Sequence, residues 1–265
     1  MNVPCVNSKP PREGFSLTIL GSGTGVPQDH RRAPGLVIQA GSIPLLFDSG
    51  SGAAYQLPAA GFCYSDFDHL FFTHYDHPDH VNDLAELLFA NKYFDPRRTR
   101  KLSIYGPPGI KKYVARLAEL YSSLEDLHYP LDIREIEENE FTIDEVKIFS
   151  RPLDHQGKPC VGYRIDYRGK TVAYSGDTDY CDNLITLALK SDILVVECSF
   201  PNELKTKGHL TPRDIADVAV QARVSRVVLT HLYPPCDQVD IVAQVREGYD
   251  GIVVKAEDLM RIDLT

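Results

Sequence analysis

The sequence predicts an α/β fold in which helices cover the sheets, on three grounds. Ile193-Leu194-Val195-Val196 is a β-branched run suited to a strand buried on both faces. Thr211-Pro212-Arg213-Asp214 reads as a helix start, with threonine as N-cap and proline at the first helical position, and Ile215, Val218, Ala219 and Ala222 then share one face. Val227-Val228-Leu229 is a second buried strand, so strand, helix and strand follow one another as they do when both sheet faces are covered.

The remaining elements fit this class. Phe15 to Leu20 is a strand followed by Gly21-Ser22-Gly23-Thr24-Gly25. A dinucleotide fingerprint would need a helix opening at those glycines, whereas Val26 to Arg32 reads as a loop, so the glycines are assigned to a tight turn near a site. Leu36-Val37-Ile38-Gln39 and Pro44 to Asp48 form an antiparallel pair about a turn at Ala40 to Ile43. A helix is expected over Ala53 to Ala60. Asp48 either caps or turns the chain there, or orients a neighbouring histidine. Leu70-Phe71-Phe72 is a buried strand, Val81 to Leu88 a helix, Leu102 to Tyr105 a strand and Ile110 to Leu124 a helix. Leu131 to Glu138 and Phe141 to Ser150 read as strands, as do Cys160 to Tyr167 and Lys170 to Tyr174, the last two about a turn at Arg168-Gly169. The run Arg97-Arg98-Thr99-Arg100-Lys101 is either a solvated face or a phosphate-attracting one.

Chemistry concentrates in His74-Tyr75-Asp76-His77-Pro78-Asp79-His80, between the strand at Leu70 and the helix at Val81. Three imidazoles and two carboxylates in seven positions are the ligand types that suit zinc and related divalent ions. His155, Asp177 and His231 lie elsewhere, the last two just past strand ends, where a side chain can reach into a site.

Composition bounds the rest. The 265 residues are 43% hydrophobic and 25% charged, ordinary values for a soluble globular chain, and no apolar run is long enough to span a bilayer. Six scattered cysteines without a Cys-x-x-Cys pair suggest reduced thiols and a cytoplasmic location. The net charge of −9 argues against nucleic acid as a partner. A polar N-terminal extension is expected over residues 1–14, followed by a single domain over 15–265.

Taken together, these motifs resemble the metallo-β-lactamase superfamily, and within it the ribonuclease Z branch. The likeness rests on Leu20-Gly21-Ser22-Gly23, Leu46-Phe47-Asp48-Ser49-Gly50, Thr73 to His80 and Ile104-Tyr105-Gly106-Pro107-Pro108-Gly109. It extends through Asp154-His155 with Gly162-Tyr163-Arg164, Gly176-Asp177-Thr178, Gly208-His209-Leu210-Thr211 and Leu229-Thr230-His231. The resemblance implies a four-layer αββα sandwich with two divalent metal ions, zinc first and manganese second. It implies His74, His77 and His155 around one ion, Asp79, His80 and His231 around the other, and Asp177 between them. Asp79 then serves catalysis as well as metal binding. His209 matches a histidine that protonates the leaving group, and Glu197 an acid that orients it. Dimers are common in the branch, and the helix over Asp83 to Phe94 is a candidate interface.

Two departures stand out. The family signature is H-x-H-x-D-H, but two residues separate His74 from His77, so the first ligand position falls to His74, Tyr75 or Asp76. An insertion that keeps His74 is favoured, because His74 directly follows Thr73 at the strand end. Secondly, the transfer-RNA-processing members carry a long arm between the equivalents of His155 and Asp177, which here are only 22 positions apart. The expected activity is therefore a binuclear phosphodiesterase acting on a small or cyclic phosphodiester. Hydrolysis of a lactone, ester or thioester is the alternative, and transfer-RNA 3′-end cleavage or an inactive metal-binding protein ranks behind both.

Overall fold

The computed structural model describes residues 14–94 and 97–264, so of the expected N-terminal extension only Gly14 falls within the described residues. Along the chain lie β1 (Phe15–Gly21), β2 (Gly35–Ala40), β3 (Ile43–Ser49), α1 (Ala53–Ala60), β4 (His69–Phe71), α2 (Pro78–Val81) and α3 (Leu84–Tyr93). Then come β5 (Leu102–Gly106), α4 (Ile110–Leu120), β6 (Leu131–Glu135), β7 (Asn139–Ile143), β8 (Val146–Pro152), β9 (Val161–Tyr167) and β10 (Lys170–Tyr174). The last third adds α5 (Asp182–Leu187), β11 (Ile193–Glu197), α6 (Pro212–Ala222), β12 (Arg226–Thr230), α7 (Ile241–Arg246), β13 (Ile252–Lys255) and β14 (Arg261–Leu264).

These strands make two sheets of seven, in the orders β14-β1-β2-β3-β4-β5-β6 and β13-β12-β11-β10-β9-β8-β7. Strands β3 to β6 run parallel, as do β10 to β13, and the chain ends by pairing β14 antiparallel with β1 of the opposite sheet.

Alternation along the buried strands sorts side chains into layers. Phe71 packs between the sheets, while Leu70 and Phe72 pack under Leu57, Leu87, Leu88 and Val114 of α1, α3 and α4. Ile193 and Val195 likewise face the inter-sheet core, and Leu194 and Val196 face α5 to α7. Helices thus cover the outer face of each sheet, and the architecture is the four-layer αββα sandwich.

Some boundaries differ from the sequence-based ones. The segment Phe141 to Ser150 is a hairpin rather than one strand, because Asp144 adopts the left-handed conformation at φ 48° and reverses the chain. The helix expected over Val81 to Leu88 divides at Asn82-Asp83. There the Asp83 carboxylate accepts from the backbone N–H groups of Gly52 and Ala54, and its own N–H donates to the Ser49 carbonyl. The basic run is neither solvated nor free for phosphate at Arg98, which is buried and donates to Asp68 and to the carbonyls of Phe67, Arg100 and Lys101. Cys160, Cys181, Cys198 and Cys236 are free thiols, but Cys63 is disulfide-bonded, which departs from the expectation of reduced cysteines throughout. Among the described residues, no helix is long and apolar enough to cross a membrane.

Phe71 is the centre of the inter-sheet packing. Its ring stacks on Phe47 at 4.7 Å and on Tyr105 at 4.5 Å, and meets the edge of Tyr163 at 5.4 Å. Phe71→Ala is expected to lower the unfolding free energy by about 3–5 kcal/mol, read from the urea midpoint, since these three rings are too constrained to refill the space.

Candidate metal centre

One edge of the sandwich gathers the ends of five strands. The end of β3 supplies Asp48, the segment past β4 supplies Thr73 and His74, and the segment past β10 supplies Asp177; Glu197 ends β11 and His231 follows β12. Carboxyl ends of parallel strands are the usual ligand-binding edge of α/β folds. His77 is the N-cap of α2, and proline at the next position starts the helix, so Asp79 and His80 occupy its first turn. His155 comes from the β8–β9 connection, where it forms an isolated bridge with Lys158.

All the residues expected at the site converge. Potential ligand atoms of His74, His77, His155 and Asp177 lie within 4.8 Å of one another, as do those of Asp79, His80 and His231 and those of Asp177, His209 and His231. This clustering of imidazoles and carboxylates is compatible with divalent metal binding.

The imidazoles are held from behind. Asp48 accepts from His80 Nδ1 at 2.8 Å, from Thr73 N at 2.8 Å, from Thr73 Oγ1 at 2.9 Å and from the Tyr174 hydroxyl at 2.8 Å. Thr73 Oγ1, having donated to Asp48, accepts from His74 Nδ1 at 3.0 Å. His155 Nδ1 donates to the Gly208 carbonyl at 3.0 Å, and His231 Nδ1 to Ser199 Oγ at 2.9 Å. Each of these four rings therefore has Nε2 left for the centre, the arrangement that fixes tautomer and direction in metal-binding histidines. Of the two readings of Asp48, the orienting contact with His80 is the one realised.

Three buried atoms at the centre have no hydrogen-bond partner: His74 Nε2, His80 Nε2 and Asp177 Oδ1. The last two approach to 3.1 Å but are not aligned as a hydrogen bond. Buried polar atoms left unpaired are costly, and divalent ions among them would satisfy all three. The residues present thus fit the metals that the sequence resemblance implies.

Electrostatics in the metal-free protein follow from this crowding. Burial pushes His74 well below the ordinary histidine range, with the charge of His80 adding to the effect. For His80 burial is outweighed by Asp177 and Asp48, which hold it well above that range. Asp177 is buried too, yet His231 and His80 keep its carboxyl well below the usual carboxylate range. Asp79 shows the same balance, with His231 and His80 prevailing over burial.

Beside this cluster His209 Nδ1 donates to Glu197 at 3.1 and 3.2 Å. Glu197 is buried and also accepts from the N–H groups of Thr178 and Leu210 and from the Ser199 hydroxyl. Burial draws the His209 pKa down, but the hydrogen bond and charge of Glu197 dominate and push it up to about 9. A stacked pair, Phe200 and Tyr233 at 4.7 Å, adjoins His209 and His231.

At the irregular motif, His74 is fully buried in the cluster, whereas the Tyr75 hydroxyl donates to the Pro108 carbonyl at 2.8 Å. Asp76 lies behind His77, with Oδ2 3.9 Å from its Nε2. Sequence reasoning missed Ser199, Thr73 and Tyr174 as parts of the site. For Ser199 a signal existed: it stands two residues after Glu197, and extended chain returns to the same face every second residue.

The chain matches the Beta-lactamase superfamily domain over residues 45–232. A ribonuclease Z of Mycobacterium avium is 31% identical, over 94% of this chain and 98% of the relative. The metallo-β-lactamase-fold protein YhfI of Bacillus subtilis superposes with a TM-score of 0.83 at 24% identity, covering 95% of this chain and all of the other. Human tRNase Z, short form, superposes with a TM-score of 0.77 at 24% identity, covering 94% and 99%. The chain belongs to the β-lactamase superfamily of metal-dependent hydrolases, in its ribonuclease Z-like branch. It is an enzyme of the hydrolase class.

One expectation is corrected here. Net acidity had argued against a nucleic-acid partner, yet relatives named ribonuclease Z match the chain nearly end to end. A charge summed over the whole surface does not describe the field at one edge of a sandwich, because screening limits each charge to roughly 8 Å.

Removing the Asp48 carboxylate strands four buried donors. Asp48→Ala is expected to cost on the order of 3–5 kcal/mol of stability in equilibrium unfolding. Asp48→Asn, which fills the same space, is expected to weaken zinc binding about 10- to 100-fold in competition with a chelator.

Proposed function

We propose that the protein is a binuclear phosphodiesterase. His74, His77, His155 and Asp177 would hold one divalent ion and Asp79, His80, His231 and the shared Asp177 the other, with zinc the metal that best suits this imidazole-rich set. When bound, the two ions supply activation of water and neutralisation of charge at the phosphoryl oxygens.

The observation that carries the reading is the His209–Glu197 pair beside the cluster. A phosphodiester expels an alkoxide, a poor leaving group that needs a proton. His209 keeps Nδ1 engaged with Glu197, which leaves Nε2 free, and in the metal-free protein the hydrogen bond and charge of Glu197 favour the protonated ring, raising its pKa to about 9. Glu197, fixed by Thr178, Leu210 and Ser199, prevents the ring from rotating away. Tyr233 and Phe200 line this side and bring aromatic surface rather than charge to the leaving group.

RNA is the substrate that the name of the relatives supports. A small or cyclic phosphodiester is the second reading, favoured by the tight Arg168-Gly169 turn between β9 and β10, which leaves no arm in that interval.

Bis(p-nitrophenyl) phosphate, a cyclic nucleotide and a 3′-extended transfer RNA, offered to zinc- or manganese-loaded protein, test the proposal. Turnover of at least one, lost in Asp177→Ala, supports it; turnover confined to carboxylic esters, lactones or thioesters would overturn it. His209→Ala is expected to slow diesters with alkoxide leaving groups by about 10²- to 10⁴-fold, and those releasing p-nitrophenolate by roughly tenfold or less.

A further inference from the structure

Two peptide units flank the Cα of His209, and four different groups hold them. On the Gly208 side the carbonyl accepts from His155 Nδ1 at 3.0 Å, and the His209 N–H donates to the Thr206 carbonyl at 3.2 Å. On the Leu210 side the N–H donates to Glu197 Oε2 at 3.2 Å, and the His209 carbonyl accepts from Lys205 Nζ at 2.6 Å. Glu197 thus holds one end of that peptide together with the His209 ring, and Lys205 holds the other end. Backbone and side chain share the Cα, so a peptide free to turn carries the imidazole with it.

The Lys205 ammonium has three protons and finds three acceptors. Besides the His209 carbonyl it donates to Asp179 Oδ1 and to Asp214 Oδ2, each at 2.7 Å. Both carboxylates are already built into neighbouring segments. Asp179 stands two residues past Asp177 and accepts from the Gly208 N–H through Oδ2 at 2.8 Å. Asp214 closes the capping box of α6, accepting from the Thr211 N–H at 2.9 Å and from its hydroxyl at 2.8 Å. An isolated ion pair at the surface would contribute little. Here one cation joins the loop bearing His209 to the segment past β10 and to the start of α6. Burial draws the Lys205 pKa down, but the hydrogen bonds to Asp179 and Asp214 prevail and hold it above the ordinary lysine range.

We propose that Lys205 is a positioning residue for His209: by tying the His209 carbonyl to two carboxylates, it sets the direction in which the imidazole presents Nε2. The inference rests on the reading of His209 as the proton donor, and it assigns Lys205 an action through the His209 backbone, not on the substrate.

Lys205→Met, which keeps most of the side chain's length and removes its protons, tests this. In the zinc-loaded protein it is expected to lower kcat about 10- to 100-fold for diesters with alkoxide leaving groups, the cost of a misplaced proton donor, and roughly threefold or less for those releasing p-nitrophenolate. With His209→Ala already in place, Lys205→Met should cost nothing further on alkoxide diesters, because an absent donor cannot be misplaced. Equal slowing of the two kinds of diester, wild-type rates on both, or a loss that adds to that of His209→Ala overturns the proposal. Amide hydrogen exchange in the metal-free protein gives a readout independent of activity. The Leu210 N–H is expected to exchange about tenfold faster in Lys205→Met, while the amides of β11 keep their wild-type protection. Unchanged exchange at Leu210 overturns the proposal, and so does faster exchange in β11, which would mark a general loss of structure. A wild-type protein with no turnover of alkoxide diesters, or a His209→Ala variant slowed equally on both kinds, overturns the proton-donor reading and this inference with it. The other adverse outcomes, with His209→Ala behaving as expected, overturn the inference alone.

Discussion

The carboxylate of Asp48 is the contact on which the site depends. It stands at the end of β3 in one sheet and accepts from Tyr174 of β10 in the other, so it ties the two sheets together at the functional edge. It also takes both donors of Thr73, which turns the Thr73 oxygen towards His74, and it holds His80 directly. Asp48 itself sits in the left-handed region at φ 52°, a conformation costing about 1–3 kcal/mol that persists only where the surroundings impose it. Four donors on one buried carboxylate supply that imposition.

The backbone around this contact is packed too closely to shift. A methyl group on Gly50 would stand 1.6 Å from the carbonyl oxygen of Asp79, so the β3 end and the α2 turn touch backbone to backbone. Gly176, at φ 60°, would place a methyl group 2.5 Å from the Thr73 side chain, which sets Asp177 against the β4 end. His231 adds a second strained position at φ 55°. Segments from both sheets that bear the candidate ligands are thereby fixed by backbone packing, and the unpaired His74, His80 and Asp177 atoms are held together by it.

Much of this was legible in the sequence for identifiable reasons. Strands such as Ile193 to Val196 declare themselves because burial on both faces selects a continuous β-branched run, and α6 because Thr211 and Pro212 mark its start. The seven convergent candidate ligands could be picked out because histidines and aspartates past strand ends have little packing reason to be there. What stayed hidden depends on partners distant in the chain. Arg98 looks like one charge in a basic run until Asp68 and the Phe67 carbonyl come beside it. Tyr174 looks like any strand tyrosine until the opposite sheet brings Asp48 to its hydroxyl. The hairpin turn at Asp144-Glu145 lacks the glycine or asparagine that announces such turns, so one strand was read where there are two. Net charge misled because it sums 37 acidic and 28 basic residues without saying where they lie.

The two halves of the cluster are supported unequally, and the inequality follows from the chain path. Asp79, His80 and His231 draw on a helix start, the Asp48 carboxylate, the Ser199 hydroxyl and the Gly25 N–H, which donates to Asp79 at 2.8 Å. On the other side His74 shares that framework through Thr73, but His155 relies on one carbonyl of the Gly208 loop and His77 on the irregular Tyr75-Asp76 segment. The same Gly208 loop carries His209, whose orientation is set by Glu197. A rigid half held by both sheets therefore faces a half built from connections. Connections open at lower free-energy cost than sheet ends. The exposed His77 and the His209 proposed as proton donor both lie on that more yielding side.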